Sequence, residues 1–219
     1  MLKGKDIINT AQFTSQELNL IMNTAAHYQQ RVKKQEVIKD MEGKVVACLF
    51  FEPSTRTRLS FESAANRLGA RVISVAGAGS SSVAKGESLP DTIRTVDGYV
   101  DVIAMRHPMT GSAQIAADAA VHPFINAGDG SGQHPTQALL DIFTIRQEKG
   151  ALGGQTVTFL GDLKYGRTVH SLGYFMTLYG NKMIFVSPKS LRMPEELTSD
   201  FRSRGAEIEE TEDVQDALA

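Results

Sequence analysis

The clearest local pattern in the sequence is an apolar strand that runs directly into a helix and then into a second strand. Residues 44–51 are almost all apolar and predict a buried strand. Pro53 and Ser54 then open a helix that ends at Gly69, and residues 71–75 predict the next strand. Strands joined through a helix lie parallel, with a right-handed crossover. We therefore expect an α/β protein built on parallel sheets.

The alternation of strands and helices continues along the chain in two series. In the first series the pattern predicts a helix at 88–98, a strand at 100–105, a helix at 115–120 and a short strand at 123–126. The second series starts with a strand at 156–160, and 182–186 predicts another. Between the two series, 135–148 has apolar residues at helical spacing and ends in glycines. Repeated units of this kind indicate two sheet domains.

These patterns predict the domain organisation. We expect two Rossmann-like parallel-sheet domains, 1–134 and 151–219, joined by a linker helix at 135–150. Residues 213–219 have a helical pattern that no further strand follows, so the second domain is expected to be incomplete.

Composition excludes several classes of protein. The formal net charge is −2 and the sequence pI is about 6.2, which favours neither nucleic acid nor an anionic membrane as a partner. Cys48 is the only cysteine and lies in an apolar run, which predicts a buried, inert thiol. The five histidines form no closely spaced ligand pair, so we expect no metal site. With no apolar leader and no disulfide, the chain is expected to be cytoplasmic.

Polar residues follow several of the predicted strands, where ligands bind in open parallel sheets. Ser54 to Thr57 would place hydroxyls, backbone N–H groups and a guanidinium at a helix start, which favours a phosphate or carboxylate. Arg106, His134 and Arg167 follow other strands. The alternatives are a simple helix cap, a loop histidine and solvated arginines. Walker-type and dinucleotide-binding motifs and a Gly-x-Ser-x-Gly elbow are not present.

Four segments of the sequence together resemble one enzyme family. They are Phe51-Glu52-Pro53-Ser54-Thr55-Arg56-Thr57-Arg58, Ser81-Ser82-Val83-Ala84-Lys85-Gly86-Glu87, Met105-Arg106-His107-Pro108 and His134-Pro135-Thr136-Gln137-Ala138-Leu139-Leu140-Asp141. In this order they resemble the aspartate and ornithine carbamoyltransferases. The resemblance extends over essentially the whole chain and implies a carbamoyl-phosphate-binding first domain and an amino-acid-binding second domain.

The resemblance also implies roles for individual residues and no cofactor. Ser54, Thr55, Arg56 and Thr57 would hold the phosphate, with Arg56 stabilising the leaving group. Thr57, Arg106 and His134 would polarise the carbonyl oxygen, and Gln137 would accept from the carbamoyl NH2. Losing one such donor costs on the order of 2.7–4 kcal/mol in known oxyanion sites. We expect His134 to be an electrophilic donor and not the general base.

The loop at 161–172 favours L-aspartate as the second substrate. It looks like the aspartate enzyme, because the ornithine enzyme tends to have asparagine where Arg167 stands. A guanidinium can pair bidentately with a dicarboxylate and would repel an ammonium group. The alternatives are ornithine carbamoyltransferase and a truncated phosphate-binding chain without turnover.

The family resemblance extends to assembly and biological role. It implies de novo pyrimidine biosynthesis and a homotrimer in which Ser81 and Lys85 of one subunit complete the site of a neighbour. It leaves open a regulatory chain or a fusion to other pathway domains. Since the aspartate-binding domain is expected to be partial, we expect weakened or absent aspartate turnover and partly retained carbamoyl phosphate binding.

Overall fold

The computed structural model describes residues 2–77 and 86–217. The chain divides into two compact units: Met1–Ile8 with Asn23–Gly132, and Asn9–Met22 with Gln133–Ala219. This division differs from the bounds expected from the sequence in one main respect. The expected linker helix and a short N-terminal segment both group with the second unit.

The described residues alternate between helices and strands. The helices are α1 (Ser15–Lys33), α2 (Thr55–Arg67), α3 (Leu89–Asp97), α4 (Ser112–Ala119), α5 (Pro135–Lys149), α6 (Arg167–Leu178) and α7 (Glu195–Ser203). The strands are β1 (Val45–Phe50), β2 (Arg71–Ala76), β3 (Val102–His107), β4 (Phe124–Asp129), β5 (Thr156–Leu160), β6 (Lys182–Val186) and β7 (Glu207–Thr211). A short 3-10 helix, Lys189–Leu191, precedes α7.

The first unit is a four-stranded parallel sheet in the order β2-β1-β3-β4. Side chains alternate between the two faces of a strand, so β1 contributes to two separate cores. Ala47 and Leu49 pack with apolar residues of α3 and α4, whereas Val46, Cys48 and Phe50 pack with Ala65 of α2. Both faces of the sheet are therefore covered, which is why β1 reads as a continuous apolar run.

The second unit contains a three-stranded parallel sheet in the order β5-β6-β7. Its helices α6 and α7 approach closely at Gly173, where a Cβ would lie 2.5 Å from the Phe201 ring. Tyr174 packs edge-on against the same ring, with centroids 4.9 Å apart. A side chain larger than hydrogen does not fit at position 173 in this packing.

The first turn of α1 forms a reciprocal cap between Thr14 and Glu17. The Thr14 backbone N–H donates to the Glu17 carboxylate at 2.9 Å, and the Glu17 N–H donates to the Thr14 hydroxyl at 3.2 Å. This capping box satisfies two backbone donors that the helix itself cannot.

The predicted α/β fold with parallel sheets is confirmed, and the structure differs from the sequence-based elements in four places. β3 continues through Arg106 and His107, which were expected in a loop. β4 extends to Asp129, three residues beyond the predicted strand. β7 was not predicted, and Val214 to Ala217 form a turn where a helix was expected.

Candidate functional site

The start of α2 lies at the carboxyl end of β1, where the sequence predicted an anion site. Ser54 is the residue before the helix, with extended backbone angles, and its hydroxyl makes no capping hydrogen bond. Thr55, Arg56 and Thr57 are the first helical residues, and the first N–H groups of a helix have no acceptor within it. The Ser54 hydroxyl does not cap the helix, and it lies beside several backbone N–H groups. Groups of this kind at a helix start can bind an anion.

A cavity of about 280 Å³ adjoins this helix start. Its lining includes Ser54, Thr55 and Arg58 from the segment after β1, together with Ala76 and Gly77 at the end of β2. Arg58 lies 3.6 Å from Glu62 one turn along α2, so its charge is shared with that carboxylate. The cavity therefore combines hydroxyl groups with one partly neutralised guanidinium.

Arg106 occupies the carboxyl end of β3, the strand next to β1, with its backbone paired to Phe50. It is 9% exposed, and one terminal nitrogen, Nη2, donates to Glu52 at 2.6 Å. Within the described residues its Nε has no hydrogen-bond partner and is buried. A buried guanidinium with one donor unused is arranged to bind a further acceptor.

His107 follows Arg106 but its ring has a local structural role. Its Nδ1 accepts from the Met109 backbone N–H at 3.1 Å, and its ring packs edge-on against Phe51. Burial lowers the pKa of His107 below its usual value, partly opposed by the charges of Asp129 and Glu52. The neutral ring shapes the turn after β3.

In the second unit, His134 caps the start of α5. Its Nδ1 accepts from the Gln137 backbone N–H at 3.4 Å, and the residue is 6% exposed. With Nδ1 accepting, a neutral imidazole carries its proton on Nε2. The cap therefore favours the tautomer that donates from Nε2, which suits an electrophilic donor and not a base.

A buried polar network that the sequence analysis did not predict fixes the backbone of His134. The His134 N–H donates to the Ser171 hydroxyl at 2.9 Å, and that hydroxyl donates to Gln133 Oε1 at 2.9 Å. The Thr10 hydroxyl donates to the same oxygen at 3.0 Å. These residues are separated by 37 or more positions in sequence from their partners, and no local pattern indicates such a pairing.

Gln137 and Asp141 lie one turn apart on α5. The Gln137 amide nitrogen, Nε2, donates to Asp141 Oδ1 at 3.0 Å. Burial raises the pKa of the Asp141 carboxyl, and the hydrogen bond from Gln137 opposes that shift. Asp141 is the last residue of the segment from His134 to Asp141, and no role was predicted for it from the sequence.

Arg167 is the first residue of α6, and the loop before it has a tightly defined shape. The Asp162 carboxylate accepts from the backbone N–H groups of Lys164 and Tyr165 at 3.1 and 3.0 Å. The buried His170 ring donates a hydrogen bond from Nε2 to the Leu163 carbonyl oxygen at 2.8 Å. Arg167 itself is partly exposed. These contacts fix the residue at which α6 begins. They therefore fix the position of the Arg167 backbone.

Two predicted site residues, Ser81 and Lys85, lie outside the described residues. Within the described ranges, no group of three His, Cys, Asp or Glu side chains is arranged to hold a metal ion. No helix among them is long and apolar enough to cross a membrane. Cys48 is fully buried as predicted, and burial raises the pKa of its thiol to about 11.

Residues 5–147 match the carbamoyl-phosphate-binding domain of the aspartate/ornithine carbamoyltransferases. The chain is 49% identical over 215 residues to the aspartate carbamoyltransferase catalytic subunit of Thermococcus gammatolerans, covering 98% of the chain and 70% of that protein. It is 50% identical to the same subunit of Methanopyrus kandleri, covering 98% of the chain and 69% of that protein.

Solved structures agree with these sequence relatives. The aspartate transcarbamoylase catalytic subunit of M. jannaschii superposes with a TM-score of 0.90 at 47% identity, covering 97% of this chain and 70% of that chain. The Trypanosoma cruzi aspartate transcarbamoylase in complex with carbamoyl phosphate and aspartate gives a TM-score of 0.93 at 39% identity, covering 99% and 69%. On the evidence of its fold and these similarities, the chain belongs to the aspartate carbamoyltransferase catalytic subunits, within the aspartate/ornithine carbamoyltransferase family.

Proposed function

We propose that the chain transfers the carbamoyl group of carbamoyl phosphate to the amine of L-aspartate, giving N-carbamoyl-L-aspartate and phosphate. The observation that carries the proposal is the arrangement at adjacent strand ends of the first unit. The α2 start offers hydroxyls and backbone donors, and Arg106, on the strand next to β1, has a buried Nε–H that no described residue accepts. That combination suits a phosphoryl group bonded to a polar carbonyl.

In this proposal the first unit binds the phosphate and polarises the carbonyl group. Ser54, Thr55, Arg56 and Thr57 bind the phosphate oxygens, and Arg56 stabilises the charge that develops as the C–O bond breaks. Thr57 and Arg106 donate to the carbonyl oxygen, which becomes more negative as the amine attacks. Arg106 is suited to this because Glu52 and the surrounding burial hold its guanidinium in place.

The second unit supplies the remaining groups. His134 donates from Nε2 to the carbonyl oxygen, since its Nδ1 is occupied by the helix cap. Gln137 accepts from the carbamoyl NH2 through its amide oxygen, and Arg167 pairs with a carboxylate of L-aspartate. Binding and orientation of both substrates lower the barrier without a covalent enzyme intermediate.

L-Aspartate is preferred to L-ornithine as the acceptor in this proposal. The relatives at 49–50% identity are named as aspartate enzymes, and a guanidinium at position 167 would repel the side-chain ammonium of ornithine. The test is a ureido-product assay that offers each amine separately with carbamoyl phosphate. We expect product from L-aspartate only. Product from L-ornithine would overturn the proposal. Product from neither amine, with carbamoyl phosphate still bound in calorimetry, would favour the alternative of a phosphate-binding chain without turnover.

We further propose that the chain works as a homotrimer in the cytoplasm, in pyrimidine biosynthesis, with sites shared between neighbours. Family resemblance supports this, with Ser81 and Lys85 acting on the adjacent subunit. The test mixes two inactive variants, Lys85→Ala and Arg56→Ala. Shared sites predict recovery of activity on mixing, because some sites then receive both native residues, whereas no recovery would refute the sharing.

A further inference from the structure

Asp141 lies on α5 one turn beyond Gln137, and the proposed function gives it no role. We propose that Asp141 is a positioning residue that sets which end of the Gln137 amide meets the carbamoyl group of the substrate. The inference rests on the proposed function, because it assumes that Gln137 accepts from the carbamoyl NH2.

The geometry determines the orientation of the amide. A glutamine side chain can rotate to exchange its oxygen and its NH2, which have nearly the same shape and opposite hydrogen-bonding roles. An ionised carboxylate only accepts hydrogen bonds. Asp141 Oδ1 lies 3.0 Å from the Gln137 Nε2, so the amide nitrogen is the end that the carboxylate binds. The reverse orientation would place an amide oxygen against a carboxylate oxygen.

Once the nitrogen is bound to Asp141, the Gln137 oxygen is the end available to a ligand. The backbone of Gln137 is also fixed, because its N–H donates to His134 at the helix cap. An amide oxygen accepts from a carbamoyl NH2, which only donates. The amide oxygen has no hydrogen bond to accept from the methyl group that acetyl phosphate carries at the equivalent position. Asp141 therefore increases the preference of the site for carbamoyl phosphate over acetyl phosphate.

The same helix offers a matched control. Glu148 is an exposed acidic residue of α5 about two turns beyond Asp141, and it lies eleven residues along the helix from Gln137. Glu148→Ala removes a carboxylate and one negative charge from α5 without touching the amide. Asp141→Leu removes the acceptor and keeps a side chain of comparable length. Asp141→Asn keeps an oxygen that can accept from Gln137 Nε2, but its NH2 can also donate to the Gln137 oxygen, so it can bind the amide in either orientation.

The experiment measures the dissociation constants of carbamoyl phosphate, acetyl phosphate and inorganic phosphate by calorimetry for the wild type and these three variants. The quantity of interest is the ratio of the acetyl phosphate Kd to the carbamoyl phosphate Kd. One neutral hydrogen bond is worth up to about 1.5 kcal/mol, so Asp141→Leu should lower the ratio by up to about tenfold. Inorganic phosphate binding should not change. Asp141→Asn should stay within about threefold of the wild-type ratio, and Glu148→Ala should match the wild type.

The outcomes separate the inference from the proposed function. If the wild type does not prefer carbamoyl phosphate to acetyl phosphate, the proposed function fails and the inference fails with it. If the wild type shows the preference and Asp141→Leu keeps it, only the inference about Asp141 is overturned. Equal weakening of all three ligands in Asp141→Leu would also overturn it, because a disturbed fold would then explain the loss.

Discussion

Replacing Arg106 by leucine tests the part of the site that the first unit supplies. Arg106 is 9% exposed, and in the described part of the structure its Nε–H has no partner. A buried donor without a partner costs about 1–3 kcal/mol, a penalty that an anion in contact with Nε would remove. An acceptor in contact with Nε is therefore expected to bind favourably at Arg106.

The expected loss of affinity follows from this geometry. A hydrogen bond to a charged group contributes about 1.5–3 kcal/mol, so Arg106→Leu should weaken carbamoyl phosphate binding by about 10-fold to 150-fold. Arg106→Lys should recover only part of this loss. An ammonium group cannot contact Glu52 and a ligand from fixed, divergent positions as a planar guanidinium can.

Calorimetric titration with carbamoyl phosphate measures the effect directly. Arg94→Leu is the matched control, because it removes the same charge from an exposed pair with Asp91 on α3. Thermal unfolding of each variant identifies losses that arise from the fold. A folded Arg106→Leu variant whose Kd for carbamoyl phosphate lies within about threefold of the wild-type value would refute this role. Such a difference is smaller than the contribution of one hydrogen bond to a charged group.

Three further predictions concern stability. Gly173→Ala should lower the free energy of unfolding in urea by about 1–3 kcal/mol, because the new Cβ would meet the Phe201 ring. Adding Phe201→Leu should relieve part of that loss. An alanine variant more stable than the wild type would contradict the packing. Thr14→Ala should cost about 1 kcal/mol in the same assay through loss of the α1 cap, and an unchanged value would mean that the cap is not needed. The wild type should lose stability between pH 9.0 and about 11, where the unfolded Cys48 thiol ionises and the folded one stays neutral. Cys48→Ala should lose less over that interval, and identical profiles would show that the thiol does not contribute.

The sequence predicted the strands that carry runs of apolar or β-branched residues, including β2 and β5, which are only partly buried. β1 and β6 are buried and were both identified, whereas β7 was missed. Its residues Glu207, Glu209 and Glu210 are exposed, and what makes it a strand is backbone pairing to the buried β6. Pairing with a distant strand leaves no periodic signal in such a polar segment, so this strand depends on tertiary context.

Site residues were predicted where a local motif carries the chemistry. Ser54 to Thr57 lie at the helix start where the sequence placed them, and Arg106 lies at the strand end, although within β3 and not in a loop. The supporting contacts were not predicted. The bond from the His134 N–H to Ser171 joins residues 37 apart, and it depends on how α5 and α6 pack. Residue spacing alone cannot reveal such a contact.

The use of a histidine to start α5 has an evolutionary consequence. Serine, threonine, aspartate and asparagine cap helices better, and the 3.4 Å contact from His134 to the Gln137 N–H is long for such a bond. If His134 serves the chemistry proposed for it, selection has kept a weak cap in order to keep an imidazole. His134→Asp should then give a more stable and less active chain. Selection for thermostability without regard to activity is therefore expected to replace this histidine.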